Sequence, residues 1–186
     1  MAPARYQDRP APGRLTTTTV YENDWMHVRE DTYVQADGSE VTYGVVDKTD
    51  FALVIAETDG AFHLVEQFRY PIGRRSWEFP MGTWPAGATG SAEELARQEL
   101  LEETGVTAAT WRRLGPHLHE ATGFCSQGFD VFHATDLTDG EHAREATEAD
   151  MVSALVSEDE FRAMILDGRI VDAPTISAYA LLRLLD

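Results

Sequence analysis

The segment of residues 91–105, SAEELARQELLEETG, constrains the fold most, because it carries both a helix start and a helix stop. Ser91 and Glu94 have the spacing of a capping box, in which each side chain accepts a hydrogen bond from the other residue's backbone. Gly105 suits the left-handed position that ends many helices. We therefore predict one helix between Ser91 and Gly105.

Strands are predicted before this helix. Turn signals at residues 36–38 and 58–60, Ala-Asp-Gly and Thr-Asp-Gly, separate segments that are rich in β-branched and aromatic residues, which favour extended structure. These segments are TTTTVY, WMHVREDTYV, EVTYGVVDK, FALVIAE and AFHLVEQFRY. We expect them to form antiparallel strands or hairpins.

Two further helices are predicted near the end of the sequence. Ser157 and Glu160 repeat the capping-box spacing, and that helix should end near Gly168. Pro174 marks the start of the last helix, because proline is favoured in the first turn. Strands before and around helices indicate an α+β fold with a mixed sheet between the helices.

Composition restricts the partners of the chain. The 186 residues include 32 acidic and 15 basic ones, which gives a formal net charge of −17. This charge repels phosphate backbones and anionic headgroups, so we expect no nucleic acid and no membrane as a partner. Cys125 is the only cysteine, so an intramolecular disulfide cannot form. Together with the lack of a signal-peptide-like apolar stretch, this predicts a cytoplasmic protein.

Three glutamates crowd the end of the first predicted helix. Glu99 lies three and four residues from Glu102 and Glu103, and like charges at these spacings each cost about 0.2–0.5 kcal/mol. The last turn adds the negative end of the helix dipole, which costs about 0.3–1 kcal/mol per carboxylate. Two explanations remain open, a solvated acidic face or a site that binds a hard divalent cation such as Mg²⁺.

The sequence around these glutamates resembles a known family. From residue 77, WEFPMGTWPAGATGSAEELARQELLEETGV is similar to the signature of the Nudix hydrolases, a glycine-containing loop followed by a helix with the core Arg-Glu-x-x-Glu-Glu-x-Gly. The flanking segments EQFRYPIGRRSWEFPMG and GRIVDAPTISAYALLRLL resemble those of the ADP-ribose pyrophosphatase branch. Three features depart from the signature: Gln98 replaces its arginine, Gly90 replaces a glutamate, and the loop is two residues longer, with Trp84 and Pro85.

The resemblance implies a Nudix-type α/β/α sandwich with a mixed sheet, preceded by N-terminal antiparallel strands. We expect a flexible leader over residues 1–14 and a single domain over residues 15–186. Members of this branch are commonly homodimers, so we also expect a homodimer, with residues 15–45 as a dimerisation element.

The resemblance also implies roles for the glutamates. It assigns Glu99 and Glu103 as ligands of Mg²⁺ or Mn²⁺, with Glu102 as a further ligand or a catalytic support. The resemblance also implies the backbone carbonyl of Met81 as an additional ligand. In this branch a glutamate on a late loop activates water, and the matching stretch here offers Glu148 or Glu145 as the catalytic base.

Substrate contacts are expected on the strands before the helix. Arg69 matches the pattern of the family, and its guanidinium fork suits phosphate oxygens, with Arg74 or Arg75 as alternatives. Glu78 alternates with its neighbours and is expected to point into the cleft. Trp77 is a candidate for stacking on a base, and core packing is the alternative for this side chain.

The predicted function is Mg²⁺-dependent cleavage of the pyrophosphate in a nucleoside diphosphate that is linked to another group. ADP-ribose or a nucleotide sugar would be the small-molecule substrate, and a nucleoside monophosphate would be one product. The alternative is a catalytically weak Nudix-like domain that binds a nucleotide or regulates. A third explanation is an acidic interaction domain in which the match to the signature is accidental.

Overall fold

The computed structural model describes residues 13–85, 87–140 and 150–185. The chain forms two compact units. The first contains the chain up to Lys48 together with Ala121–Gln127, and the second contains Thr49–Glu120 and the chain from Gly128 onward.

The first unit contains a three-stranded antiparallel sheet. Its strands, in the spatial order in which they pair, are β1 (Gly13–Glu22), β2 (His27–Val34) and β3 (Glu40–Asp47). The turn between β2 and β3 contains Gly38, whose φ of 86° is accessible to glycine without strain. Val46 of β3 donates its N–H to Phe124 and accepts one from Ser126, which attaches the segment Ala121–Gln127 to this sheet.

Within the described residues, the second unit contains a seven-stranded mixed sheet and three α-helices. The elements are β4 (Phe51–Thr58), β5 (Ala61–Arg69), β6 (Arg74–Glu78), β7 (Met81–Thr83), α1 (Ala92–Thr104), β8 (Val106–His119), β9 (Gly128–Asp139), β10 (Val152–Ser157), α2 (Glu158–Leu166) and α3 (Ala173–Leu185). The strand order is β10-β5-β4-β9-β8, with β6 paired to β5 and β7 paired to β4. Strand β9 is parallel to the central strand β4, and the other paired neighbours are antiparallel.

Strand β4 separates two hydrophobic clusters. Because side chains alternate along a strand, Leu53 packs on one face with residues of α2 and α3, such as Phe161 and Leu182. Val54 packs on the other face with residues of α1, such as Leu100. The helices therefore cover both faces of the sheet, which confirms the predicted α/β/α sandwich with a mixed sheet. None of the helices in the described ranges is long and apolar enough to cross a membrane.

The helix caps follow the sequence with one exception. The capping box of Ser91 and Glu94 is complete, and Gly105 ends α1 with a φ of 74°. At α2 only half of the predicted capping box forms. Ser157 Oγ accepts the N–H of Glu160 at 3.3 Å, which is the expected first hydrogen bond. The Glu160 carboxylate instead accepts a hydrogen bond from Arg169 Nη1 at 2.6 Å. A charged donor is a stronger partner than a backbone amide, which explains the difference.

Candidate active site

Two of the three glutamates at the end of α1 point into the protein. Glu99 is 7% exposed and Glu103 is 2% exposed, whereas Glu102, on the adjacent face, is half-buried. Burying a carboxylate costs free energy unless a partner compensates for it. Glu99 and Glu103 therefore do not belong to a solvated acidic face of the helix.

The backbone of β7 lies directly against these two carboxylates. The N–H of Met81 donates to Glu103 Oε2 at 3.0 Å. A Cβ atom at Gly82 would overlap the carboxylate carbon and both carboxylate oxygens of Glu99. Glycine is thus needed here for a close approach between strand and helix, not for a positive φ. The Met81-Gly82 pair joins the two glutamates into one site.

Glu102 has a different partner. Gln98 Nε2 donates to Glu102 Oε1 at 3.0 Å, one helical turn away. Arg97, the neighbouring cation, does not take part in this contact. Its Nη2 donates to Glu93 at 2.8 Å, and its guanidinium carbon lies 4.6 Å from the centre of the Trp111 ring.

Arg69 and Glu78 form a pair on the sheet face that α1 covers. The register of β5 and β6 pairs Val65 with Glu78, so Arg69 and Glu78 share a face. Arg69 Nε lies 3.0 Å from each oxygen of Glu78, whose side chain is 1% exposed. Burial raises the pKa of Glu78, and the hydrogen bonds from Arg69 oppose that shift. Burial lowers the pKa of Arg69, but its hydrogen bonds to Glu78 and the charges of Glu78, Asp172 and Glu103 raise that pKa overall. Glu78 therefore contacts Arg69 instead of facing solvent.

The other candidates on β6 point elsewhere. Trp77 lies on the opposite face from Glu78 and packs against the cluster of α2 and α3. Arg74 Nη2 donates to the carbonyl of Gly168. Arg75 pairs with Glu66 and with Asp150. The structure thus brings Arg69 and Glu78 towards the glutamates of α1, and it does not bring Trp77 there.

The long loop before α1 explains one departure from the signature. A Cβ atom at Gly90 would overlap the ring of Trp84, which also packs against the cluster under α1. A glutamate at position 90 would have to displace this ring. Gly90 therefore leaves the space that the ring of the inserted Trp84 occupies.

The donor set fits an open site for a hard cation. Within the described ranges, no three His, Cys, Asp or Glu side chains converge into a metal-binding group. Mg²⁺, however, binds proteins through one or two carboxylates and fills its remaining positions with water and substrate oxygens. Two buried carboxylates match that requirement, since they lie beside the backbone of β7 at Gly82, which has no side chain. Glu145 and Glu148 lie outside the described residues.

Comparisons with known proteins agree with this geometry. Residues 14–46 match the model of the nucleoside diphosphate sugar hydrolase N-terminal domain, and residues 47–179 match the NUDIX domain. The chain belongs to the Nudix family. The resemblance that the glutamate helix indicated is thereby confirmed, and an accidental match is excluded.

Two relatives of this Nudix protein carry the name ADP-ribose pyrophosphatase. That of Mycobacterium tuberculosis is 31% identical over 166 residues, which cover 88% of this chain and 79% of the relative. That of Bacillus subtilis is 32% identical over 133 residues, 70% of either protein. A solved structure, titled "Crystal structure of ADP compounds hydrolase", has the same fold, with a TM-score of 0.82, 20% identity, and coverage of 95% of this chain and 94% of that one.

Sequence reasoning missed two residues of this Nudix site. The sequence pattern does not single out Gly82, because its contact with Glu99 depends on how β7 packs against α1. Asp172 accepts the N–H of Thr175 at 2.8 Å and so caps α3, while its charge acts on the pair of Arg69 and Glu78. The order Asp-Ala-Pro, an acidic cap just before a proline, is the signal that could have identified Asp172.

Proposed function

We propose that this Nudix protein is a divalent-metal-dependent hydrolase that cleaves the pyrophosphate of ADP-ribose or of a nucleotide sugar. The products are a nucleoside monophosphate and a phosphorylated remainder. The observation that carries the proposal is the pair of buried carboxylates, Glu99 and Glu103, set against the backbone of Met81 and Gly82. Two relatives named ADP-ribose pyrophosphatase support the choice of substrate.

Glu99, Glu103 and the carbonyl of Met81 would hold the cation, Mg²⁺ or Mn²⁺, with Glu102 as a further ligand or a nearby support. When bound, the cation supplies positive charge to the phosphate oxygens and lowers the pKa of a coordinated water. The chain's own part is to keep two carboxylates desolvated and fixed. The Met81 N–H orients Glu103, and the absence of a side chain at Gly82 leaves room for Glu99.

Arg69 would bind a phosphate group of the substrate. A guanidinium has five N–H donors in a fixed plane, and the contacts with Glu78 use Nε and Nη2. Glu78 then acts through Arg69 by fixing the plane of its guanidinium, so we assign it a positioning role. We assign no substrate contact to Trp77, since it packs in the opposite cluster.

Substitution of Arg69 and of Glu78, singly and together, tests the role of this pair in substrate binding. Arg69→Lys keeps the charge but loses the fork, and Glu78→Gln loosens the guanidinium, so each change should raise KM about tenfold or more. The double variant should be little worse than either single one, because the two side chains act as a unit. Additive losses in the steady-state kinetics would contradict this role for Glu78.

We further propose that Glu148 or Glu145 is the catalytic base, with Glu102 supporting the reaction. The proposal rests on the family resemblance of the stretch before β10. Glu148→Gln and Glu145→Gln should differ sharply in kcat, with a loss of about 100-fold or more for the base. Equal and small effects would remove both residues from the mechanism.

We also propose a cytoplasmic homodimer in which residues 15–45 form the dimer contact. Every residue of β1 is exposed, and apolar side chains such as Leu15, Val20 and Trp25 are more than half exposed. Exposed apolar groups of this size favour burial against a partner. Sedimentation velocity of the protein and of a Val20→Lys variant tests this, and a monomeric protein at micromolar concentration would contradict it.

A specific observation supports one alternative, a catalytically weak nucleotide-binding domain. Gln98 stands where the signature has arginine, so the charge pattern of the helix differs from that of the signature. Incubation with ADP-ribose, nucleotide sugars, dinucleotides and nucleoside triphosphates, with Mg²⁺ or with EDTA, separates the two functions. Chromatography should show metal-dependent release of a nucleoside monophosphate. Ligand binding without a product would favour the alternative.

A further inference from the structure

We propose that Thr175 of α3 is a positioning residue, because its buried hydroxyl fixes the backbone of residues 78–81 beside the cation site. The inference deepens the proposed function and rests on it, since it concerns the same site. It gives a role to the start of the last helix, where Asp-Ala-Pro-Thr occupies residues 172–175.

Residues 78–81 carry groups of the proposed site at both ends. At one end Glu78 holds Arg69, whose Nε lies 3.0 Å from each carboxylate oxygen. At the other end the N–H of Met81 donates to Glu103 Oε2 at 3.0 Å, and the Met81 carbonyl is the proposed ligand. Only two residues lie between these ends. A shift of this short connection would therefore move both ends, because the bond lengths of the backbone are fixed.

Two hydrogen bonds tie this connection to neighbouring elements. The carbonyl of Pro80 accepts the N–H of Val54, in β4, at 2.9 Å. The N–H of Phe79 donates to Thr175 Oγ1 at 3.1 Å. Proline has no N–H, so Phe79 supplies the backbone donor of the connection and Thr175 accepts it. The hydroxyl thus links α3 to the backbone that leads into Met81.

Burial makes this hydroxyl hard to replace. Thr175 and Phe79 are both 0% exposed. Without the hydroxyl, the N–H of Phe79 would be a buried donor that has lost its partner, which costs free energy unless the backbone moves. Thr175 is itself held at the start of α3, where its N–H donates to Asp172 at 2.8 Å. The charge of Asp172 acts on Arg69 and Glu78, which places the start of α3 close to this pair.

A relaxed connection would misplace the groups that bind or orient the cation. The carbonyl and the N–H of Met81 would both shift relative to the Glu103 carboxylate. Groups that orient the ligands of a metal, without being ligands themselves, typically contribute 10- to 100-fold in metal affinity. We therefore expect the affinity for the cation to depend on the hydroxyl of Thr175.

Three substitutions at this position separate the hydroxyl from the volume of the side chain. Thr175→Ser keeps the hydroxyl and loses a methyl group. Thr175→Val keeps the shape and loses the hydroxyl, and Thr175→Ala loses both groups. The two smaller side chains leave a cavity in a buried position, which should lower the melting temperature. If Thr175→Val does not fold, the comparison of Thr175→Ser with Thr175→Ala still isolates the hydroxyl.

The primary readout is binding of Mn²⁺ alone, measured by the electron paramagnetic resonance signal of free Mn²⁺ without substrate. Thr175→Val and Thr175→Ala should bind Mn²⁺ about tenfold more weakly than the wild type does. Thr175→Ser should bind it as the wild type does, although it melts earlier. Leu182→Val is the control for weaker packing of α3, because Leu182 is buried in the same hydrophobic cluster as Phe79. It should also melt earlier, with unchanged Mn²⁺ affinity.

Steady-state kinetics with ADP-ribose give a second readout. Thr175→Val and Thr175→Ala should raise the Mg²⁺ concentration for half-maximal rate about tenfold, and Thr175→Ser should restore the wild-type value. Mn²⁺ affinity that follows the melting temperature across all four variants would show a purely structural role and would overturn the proposal. Unchanged Mn²⁺ affinity in Thr175→Val and Thr175→Ala would overturn it as well.

Failure of this inference and failure of the proposed function give different results. If the wild type binds Mn²⁺ more tightly than the variants without the hydroxyl but cleaves none of the ADP compounds, the proposed function fails while the role of Thr175 stands. If the wild type cleaves ADP-ribose and Thr175→Val binds Mn²⁺ normally, the role of Thr175 fails while the function stands. A wild-type protein that binds no Mn²⁺ would overturn both.

Discussion

At the scale of single residues, the candidate site depends on close approaches that leave no room for substitution. Glu99 reaches the backbone of β7 because Gly82 has no side chain, and Glu103 is fixed by the N–H of Met81. Both glutamates are buried, so their carboxylates are largely shielded from water. Small substitutions at these residues should therefore lower the catalytic activity far more than they lower the stability of the fold.

Gly82→Ala tests this expectation. The added methyl group would displace the Glu99 carboxylate, and a misplacement of about 1 Å at a reacting site can cost about 100-fold in rate. Gly82 does not have a positive φ, so the backbone itself tolerates alanine. We expect kcat/KM to fall about 100-fold with native circular dichroism. Gly123→Ala, where the added methyl meets open space, is the control and should retain full activity.

At the scale of elements, the sequence predicts what is decided locally. The capping box and the terminal glycine of α1 lie within fifteen residues of each other, so their pattern alone locates the helix. The pairing of Arg69 with Glu78 depends instead on the register of β5 against β6, which the sequence does not reveal. The same holds for Trp84 and Gly90, whose contact depends on the path of the loop before α1. Non-local packing thus sets the limit of prediction.

The contact between Trp84 and Gly90 can be measured. Gly90→Ala forces the tryptophan ring to move, and overpacking of this kind costs about 1–3 kcal/mol of unfolding free energy. In a Trp84→Leu background the same change should cost much less, since the ring is gone. Urea unfolding of the four proteins in this cycle gives the coupling. Equal costs in both backgrounds would show that the two residues are independent.

The pairing of β2 and β3 predicts a dependence on pH. Hydrogen bonds from Arg29 hold the pKa of Asp47 below its ordinary value of 3.8. A lowered pKa contributes stability above pH 3.8, and this contribution is lost as the pH falls through the lower, folded value. Asp47→Asn should therefore be less stable than the wild type at pH 7, by about 0.5–1 kcal/mol for a partly exposed pair. The difference should shrink as the pH is lowered below 3.8, and a constant difference would contradict this account.

At the scale of the whole molecule, the net charge of −17 makes the approach of an anionic substrate unfavourable. A polyanionic protein repels a pyrophosphate, so it needs positive charge at the point of reaction. The chain supplies Arg69 and a set of carboxylates that can recruit a divalent cation. The fold assists by placing the glutamate helix and the strands β5, β6 and β7 in one unit.

The most direct test of the central claim is hydrolysis of ADP-ribose by the wild type and by Glu103→Gln, followed as release of AMP at increasing Mg²⁺. Glu93→Gln is the control, because Glu93 is an exposed glutamate of the same helix. We predict AMP release that requires Mg²⁺, survives Glu93→Gln and falls about 100-fold or more in a folded Glu103→Gln protein. AMP release in EDTA, or full turnover by Glu103→Gln, would contradict the account.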